Sequence, residues 1–505
     1  MLQILLVSLG VLLSVWIMFL VFCWDTGLHV SGLDDQVSLV GAAVVDAEHE
    51  IAFLLGRHES AEQAEHILLN ENTADAHAAG EVHLEQLRGS VNHANKDVHE
   101  VVAAEQEEGK DEIHVIFSTD CTPYQDWQTL TLFHSATVVG QKGPITRIAS
   151  GCDDDKKKEL TSLYAKLYPK YHVHYTPDFK KDEKTKKKYD FYNKPWGVKH
   201  WLEFAEPAVP NDIVVALLDP DMIFLRPLTT EVRSQDNAIW SKRLPKSELI
   251  DKVVKGRPVA QLYGLGAPWV DDNHKKFGRR RICGENSPCL EAKNPWGGDH
   301  FSVGPPYIVH KEDMVRIAAT WTKFVPKVYE KYPYLLAEMY AYSMAAAHEG
   351  LPHLQGEHYM VSNTEVHPGE GWQWVDNLVD SAVEPDEHGI FFPGKSLPTV
   401  MHFCQFFRAG EFGFQKRRVP KNIFTCESPM MAELPSDLAK STYQIKNDEK
   451  VEFKGPKQAK RHAFALNVLH HSINAALVDY KQRMCPNQGR DANYDKTLNV
   501  AGMKY

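Results

Sequence analysis

Several common enzyme signatures are missing from this sequence. No Gly-x-Gly-x-x-Gly follows its first strand-like run and no Gly-x-x-x-x-Gly-Lys-Ser/Thr occurs, which excludes a fingerprinted dinucleotide fold and a P-loop ATPase. A Gly-x-Ser-x-Gly elbow and a His-Glu-x-x-His pair are absent too, so neither an α/β-hydrolase nor a zincin is indicated. There is no Asn-x-Ser/Thr acceptor, which removes one usual support for a secretory route without forbidding it. Positive charge is not in excess: 56 Lys and Arg stand against 67 Asp and Glu, a formal net of -11, which argues against a nucleic-acid partner. Lys and Arg do not appear at all before Arg57.

What is present is ordinary globular material, 43% hydrophobic and 24% charged over 505 residues, enough for two to four structural units. The charge is unevenly spread. Residues 25–112 hold 20 acidic and 4 basic side chains, a net of -16, so the rest sums to -11 + 16 = +5. We divide the chain into an apolar anchor (1–24), an acidic, His-rich stalk (25–112), a folded body (113–430) and a C-terminal appendage (431–505). Leu2 to Trp24 is nearly all apolar; at 1.5 Å per residue it spans about 34 Å, enough for a bilayer core of about 30 Å. A cleaved signal peptide is the competing reading, but the basic n-region is missing and Phe22-Cys23-Trp24 is a poor cleavage end. In the stalk, Leu84, Leu87, Val91, Ala94, Val98 and Val101 follow a three-four spacing that predicts a partial helix and a possible coiled-coil homodimer. Outside the anchor there are seven cysteines, an odd number. Cys283 with Cys289 is the natural short disulfide, and Cys121 with Cys152 and Cys404 with Cys426 are further candidates.

The body alternates strand and helix patterns. Ile113–Ser118, Ile145–Ala149, Tyr171–Tyr175 and Asp212–Leu218 read as strands, and 126–139, 159–168 and 196–206 as helices. The run Asp212-Ile-Val-Val-Ala-Leu-Leu218 is almost continuously apolar, the mark of a central strand buried on both faces of a parallel sheet. A doubly wound α/β core follows. Residues 455–480 carry an apolar helical stripe, and Pro295–His300 reads as a loop.

Asp219-Pro220-Asp221 comes directly after the apolar strand. Open α/β sheets bind ligands at the carboxyl ends of their strands. Two adjacent acids repel unless neutralised, and Mg²⁺ or Mn²⁺ shared with a substrate diphosphate is the usual solution. A second apolar run, Leu397–Phe403, ends near His402, whose imidazole is a third candidate ligand. Lys194 and Lys416, or Arg417 and Arg418, are candidates for the diphosphate oxygens. The basic runs Lys180–Lys188 and Lys275–Arg281 read as solvated faces.

In order along the chain stand Thr122-Pro123-Tyr124 through Trp127-Gln128, Gly143-Pro144-Ile145-Thr146-Arg147, and Asn193-Lys194-Pro195-Trp196 through Glu203. Then come Asp219-Pro220-Asp221 through Pro227, Gly304-Pro305-Pro306-Tyr307-Ile308, Trp321, Glu338-Met339-Tyr340-Ala341-Tyr342 and His402. With these, residues 113–425 resemble the plant and algal peptidyl serine α-galactosyltransferases and hydroxyproline O-arabinosyltransferases. The intact Asp-Pro-Asp leans toward the serine galactosyltransferase branch. The resemblance implies a GT-A-like nucleotide-sugar core with a mostly parallel sheet, a UDP-sugar donor, a Ser- or hydroxyproline-rich acceptor and Mn²⁺ or Mg²⁺ as cofactor. It implies Asp219, Asp221 and His402 as the metal–diphosphate set and Glu338 as a sugar or acceptor contact. Lys194, Trp196 and Lys416 are expected on the donor, while Asp299 either meets sugar hydroxyls or caps a turn. The expected product is galactose on serine with retained configuration. The alternatives are an arabinosyltransferase and, in another class, a non-catalytic sugar- or peptide-binding membrane protein. A single-pass type II protein of the Golgi or endoplasmic reticulum, with a lumenal body, is the matching location.

Overall fold

The computed structural model describes residues 113–181, 186–232, 240, 249–264, 268–270, 278–366, 369–378, 397–447, 449–492, 494 and 496–499. The expected anchor and the stalk, with its histidines, lie outside the described residues, as do 182–185 and 275–277 of the two basic runs. Among the described residues no helix is long and apolar enough to cross a membrane.

The chain opens with β1 (Ile113–Asp120), α1 (Pro123–Val138), β2 (Ile145–Ser150), α2 (Asp154–Leu167), β3 (Tyr171–Thr176), α3 (Asn193–Phe204) and β4 (Val214–Leu218). β5 (Met222–Phe224), β6 (Val259–Leu262), α4 (Arg279–Cys283), α5 (Trp296–Phe301), β7 (Val303–His310), α6 (Lys311–Lys331) and α7 (Ala337–His348) follow. Next are β8 (Leu354–Gly356), β9 (Met360–Val361), α8 (Trp372–Asp376), β10 (Val400–His402), β11 (Phe407–Ala409) and β12 (Phe412–Phe414). A long helix, α9 (Pro456–Met484), comes near the C-terminus.

Seven strands form the main sheet in the order β3-β2-β1-β4-β7-β6-β8. β7 runs antiparallel to both neighbours and the remaining pairs are parallel. Every residue of β4 is buried, as a strand covered on both faces must be. On one face Ile113, Val115, Phe117, Ile145 and Ala149 share a core with Leu130 and Phe133 of α1 and Leu160 of α2. On the other, α3 lays Trp201 edge-on against His114 of β1 at 4.8 Å. Gly143 is required where it stands: its φ is +80°, and a Cβ there would lie 2.4 Å from the Ile113 carbonyl oxygen.

Differences from the sequence reading have local causes. α1 starts at Pro123, three residues early, because proline at the first turn gives up only an amide that has no intrahelical acceptor. α2 starts at Asp154 inside the run Asp153-Asp-Asp-Lys-Lys-Lys158, which hides it. Asp153 caps Lys156 N–H at 2.8 Å, and Lys157–Asp154 and Lys158–Asp155 pair at i,i+3. The loop expected over Pro295–His300 is helix α5. The strand expected over Leu397–Phe403 shortens to β10, which lies outside the main sheet, between β5 and β9.

Disulfides join Cys121 to Cys152, Cys283 to Cys289 and Cys426 to Cys485. Cys404 is a free thiol, so the expected Cys404–Cys426 pair does not form; Cys426 instead ties the segment after β12 to the end of α9. That helix buries Phe464, Leu466, Leu469, Ile473 and Leu477 in the core that also holds Met401 and Phe403, on either side of His402.

Several histidines are buried within the fold. Burial holds the imidazoles of His114, His462 and His470 down to about 4 and that of His353 to about 3. The unfolded chain protonates them near pH 6.5. Between that pH and about 4 it therefore binds more protons than the fold, and stability must drop as pH falls. Thermal melts from pH 7.5 to 5 should show a melting temperature that declines below about 6.5; a flat profile would contradict the burial of these rings.

Candidate functional site

The buried strand β4 ends at Leu218 and delivers Asp219 to the carboxyl edge of the sheet. Pro220 turns the chain, and Asp221 stands immediately before β5. β5 pairs antiparallel with β10, with Met222 opposite His402, and Phe403 N–H donates to the Asp221 carbonyl at 3.0 Å. Backbone pairing thus carries His402 across 181 residues of sequence to the two acids. His402 Nε2 lies 3.3 Å from Asp221 Oδ1 and 3.9 Å from Asp219 Oδ2. One ligand atom from each residue falls within 4.8 Å of the others, and this is the one group of three or more His, Cys, Asp or Glu so placed among the described residues.

Two lysines complete the cluster. Lys194, in the first turn of α3, donates to Asp219 Oδ1 at 2.7 Å and lies 3.3 Å from Glu338 Oε1. Lys416, just beyond β12, donates to Asp221 Oδ2 at 2.6 Å. Glu338 lies in the first turn of α7; its backbone N–H donates to the Tyr189 hydroxyl at 3.1 Å, and its carbonyl accepts from Trp321 Nε1 at 2.9 Å. Trp321 and Glu338, both singled out in the sequence, are therefore bonded to each other.

The charges act strongly because the group is nearly dry. Burial alone would raise the Asp221 carboxyl, yet Lys416 and then His402 hold it well below the usual carboxylate range. Against its own burial, His402 is raised well above an ordinary imidazole by Cys404 and Asp221. Lys194 and Lys416 are raised despite burial, chiefly by Asp219 and Asp221 respectively. For Glu338 burial wins over the attraction of Lys194, and its carboxyl is pushed up. Three carboxyl groups thus face two lysines and a histidine.

The structure brings Asp219, Asp221, His402, Lys194, Lys416 and Glu338 together. It does not bring Trp196 into this group. Two residues after Lys194 on a helix, Trp196 points to a different face and packs edge-on to Tyr192 at 5.2 Å. Asp299 sits in the first turn of α5, where its N–H closes onto the Pro295 carbonyl at 3.0 Å, outside the three-ligand group. Arg418 lies over the Phe406 ring at 5.1 Å. Cys404 was overlooked as a site residue. Its position two residues after His402, past the end of a strand, is the signal that places it there.

Residues 113–254 match the family model described as the hydroxyproline O-arabinosyltransferase family N-terminal domain. The chain is 33% identical over 257 residues to a peptidyl serine α-galactosyltransferase of Arabidopsis thaliana. Part of the chain is thus similar to plant and algal glycosyltransferases. It also shares 24% identity over 323 residues with a peptidyl serine α-galactosyltransferase of Chlamydomonas reinhardtii, and 24% over 260 with hydroxyproline O-arabinosyltransferase RDN1 of Medicago truncatula. These matches take in 49%, 60% and 49% of this chain, but only 28%, 36% and 59% of the respective relatives. Among solved structures, galactosyltransferase LgtC in complex with donor and acceptor sugar analogs aligns at 9% identity and a TM-score of 0.31, over 58% of this chain and 87% of that one. Mouse xyloside xylosyltransferase 1 aligns at 12% and 0.29, over 58% and 97%.

A divalent cation held by Asp221 would compete with Lys416 for the same carboxylate. Lys416→Met should therefore bind Mn²⁺ about tenfold more tightly when no nucleotide is present, a change of about 1.4 kcal/mol, and bind UDP more weakly. Free-Mn²⁺ titration by electron paramagnetic resonance and UDP calorimetry read the two effects; weaker Mn²⁺ binding would contradict the competition.

Proposed function

We propose that the chain transfers a sugar from a nucleoside diphosphate donor to a hydroxyl of serine or hydroxyproline in a peptide, with Mn²⁺ or Mg²⁺ held by Asp219, Asp221 and His402. The observation that carries this reading is the convergence of two carboxylates, one imidazole and two ammoniums at the carboxyl end of β4. The sheet order, with β7 as the lone antiparallel strand beside β4, supports a GT-A-like core. Two carboxylate oxygens and an imidazole nitrogen suit Mn²⁺ or Mg²⁺ better than a soft metal, which would call for thiolates. A cation there would absorb the negative charge that grows on the departing diphosphate.

The chain's own groups supply the rest. Lys194 and Lys416 place positive charge where diphosphate oxygens must lie, and their low exposure strengthens it. Glu338 is paired with Lys194, so its carboxylate serves as a hydrogen-bond acceptor for sugar or acceptor hydroxyls rather than as a free nucleophile. A same-face displacement, in which the leaving diphosphate oxygen takes the acceptor's proton, fits this arrangement and retains the configuration. UDP-galactose and serine are the preferred pair, because identity is higher to the serine galactosyltransferase of Arabidopsis thaliana than to the arabinosyltransferases. A pentose on hydroxyproline is the second reading. Three disulfides among the described residues suit an oxidising compartment. They support a body facing the lumen of the Golgi or endoplasmic reticulum behind the Leu2–Trp24 segment.

The test incubates the protein with UDP-galactose or UDP-arabinofuranose, Mn²⁺, and Ser- or hydroxyproline-rich peptides, and reads peptide mass. A metal-dependent hexose gain on serine is expected. It should fall at least about a hundredfold in Asp221→Ala, since a bound cation contributes several kcal/mol at the transition state. A pentose gain selects the second reading, and full activity of Asp221→Ala would contradict the metal role.

A further inference from the structure

One element of the Gly304-Pro305-Pro306-Tyr307-Ile308 stretch has no place yet in the donor site. Gly304 has an ordinary strand conformation, but it packs under Tyr263. A Cβ at residue 304 would lie 2.8 Å from both Cβ and Cγ of that tyrosine and 3.2 Å from its Cδ1. Only glycine leaves the ring its position. The strand pairing is adapted at the same point: the β6–β7 register shifts between Ala260 and Gln261, with Gln261 facing Gly304. Such irregularities re-aim the side chains that follow them.

Topology fixes where Tyr263 emerges. It follows the last residue of β6, which runs parallel to β4, so it leaves the sheet on the edge where Asp219 leaves β4. Only β7 separates the two strands, which at about 4.8 Å per strand puts their ends about 10 Å apart. The Tyr263 N–H is fixed to the Ser302 carbonyl at 2.8 Å. Burial, then the nearby Cys404, Glu370, Asp219 and Asp221, keep the phenol protonated far above neutral pH, so it remains a hydrogen-bond donor.

The carboxylates around it are already engaged. Glu370 accepts from Ser362 N–H at 2.6 Å, Ser362 Oγ at 2.6 Å and Trp372 Nε1 at 2.9 Å; Asp219 and Asp221 accept from the two lysines. The Tyr263 hydroxyl has no hydrogen-bond partner among the described residues, although the ring is half-buried. A half-exposed phenol at this edge of the sheet is open to donate to a ligand that settles there. A neutral polyol such as a sugar can both donate to carboxylates and accept from a phenol.

We propose that Tyr263 contacts the substrate, its hydroxyl donating to an oxygen of the transferred sugar, and that Gly304 provides the space that seats it there. The assignment rests on the donor reading given above. The test uses the full chain with saturating Mn²⁺ and measures UDP, UDP-galactose and UDP-arabinofuranose binding by calorimetry for wild type, Tyr263→Phe and Gly304→Ala. Tyr263→Phe should keep the wild-type melting temperature and bind UDP within about twofold. Its affinity for the UDP-sugar relative to UDP should fall about tenfold, roughly what one neutral hydrogen bond is worth. Gly304→Ala displaces the ring without altering its chemistry and should show the same sugar-selective loss. An unchanged sugar-to-UDP ratio in Tyr263→Phe, or an equal loss for UDP itself, would overturn the assignment and leave the donor reading intact. A wild-type chain that binds no UDP would overturn the donor reading, and Tyr263 with it.

Discussion

Two carboxylates one residue apart, the second of them buried, require positive charge next to them, and much of the structure supplies it. Asp219 and Asp221 are set at the end of β4 by a strand with every side chain buried. Their neutralising groups come from distant parts of the chain: Lys194 from α3, His402 from β10 and Lys416 from beyond β12. Each of these elements is anchored by apolar packing, so the pairing geometry is imposed by the fold rather than by the ions themselves. This matters because a buried charge cluster lacking one partner is strongly destabilising.

The support behind His402 shows how far the requirement reaches. β10 is three residues long and lies outside the main sheet. It is held by β5 on one side and β9 on the other, and Phe403 stacks on Trp127 of α1 at 5.7 Å. α9 closes the same core from the C-terminal part of the chain, and the Cys426–Cys485 disulfide fixes its end. Residues 456–485 are therefore structural to the site although none of them enters it. The buried pair Arg461–Asp376, at 2.7 Å, binds α9 to α8 in the same layer.

How much of this could be read from sequence depends on the range of the signal. β1, β2 and β4 were legible because their signal is local and their burial is complete or nearly so, β3 was legible although it is an edge strand mostly half-buried, and Asp219-Pro220-Asp221 was legible because it follows the most apolar of them. His402 was legible only as a histidine ending an apolar run. The register that sets it opposite Met222 belongs to the fold. The contact of Lys416 with Asp221, 195 residues apart, leaves no local trace. The start of α2 was hidden because its capping and ion-pairing residues look like a solvated charge run. α5 was misread as a loop because Pro and two Gly sit in or beside a six-residue helix. The resemblance to known transferases pointed to Glu338, but not to Cys404 or to the role of Gly304, since those depend on what packs against them.

In the proposed function, Asp219, Asp221 and His402 would hold a divalent cation as one unit. Pulsed electron paramagnetic resonance of the Mn²⁺-loaded protein tests it without any assumption about donor or acceptor. Joint coordination requires protein-bound Mn²⁺ with the coupling of a single imidazole nitrogen, lost in His402→Gln while that variant stays folded. Mn²⁺ that remains fully aquated, or a nitrogen coupling that survives His402→Gln, would contradict it.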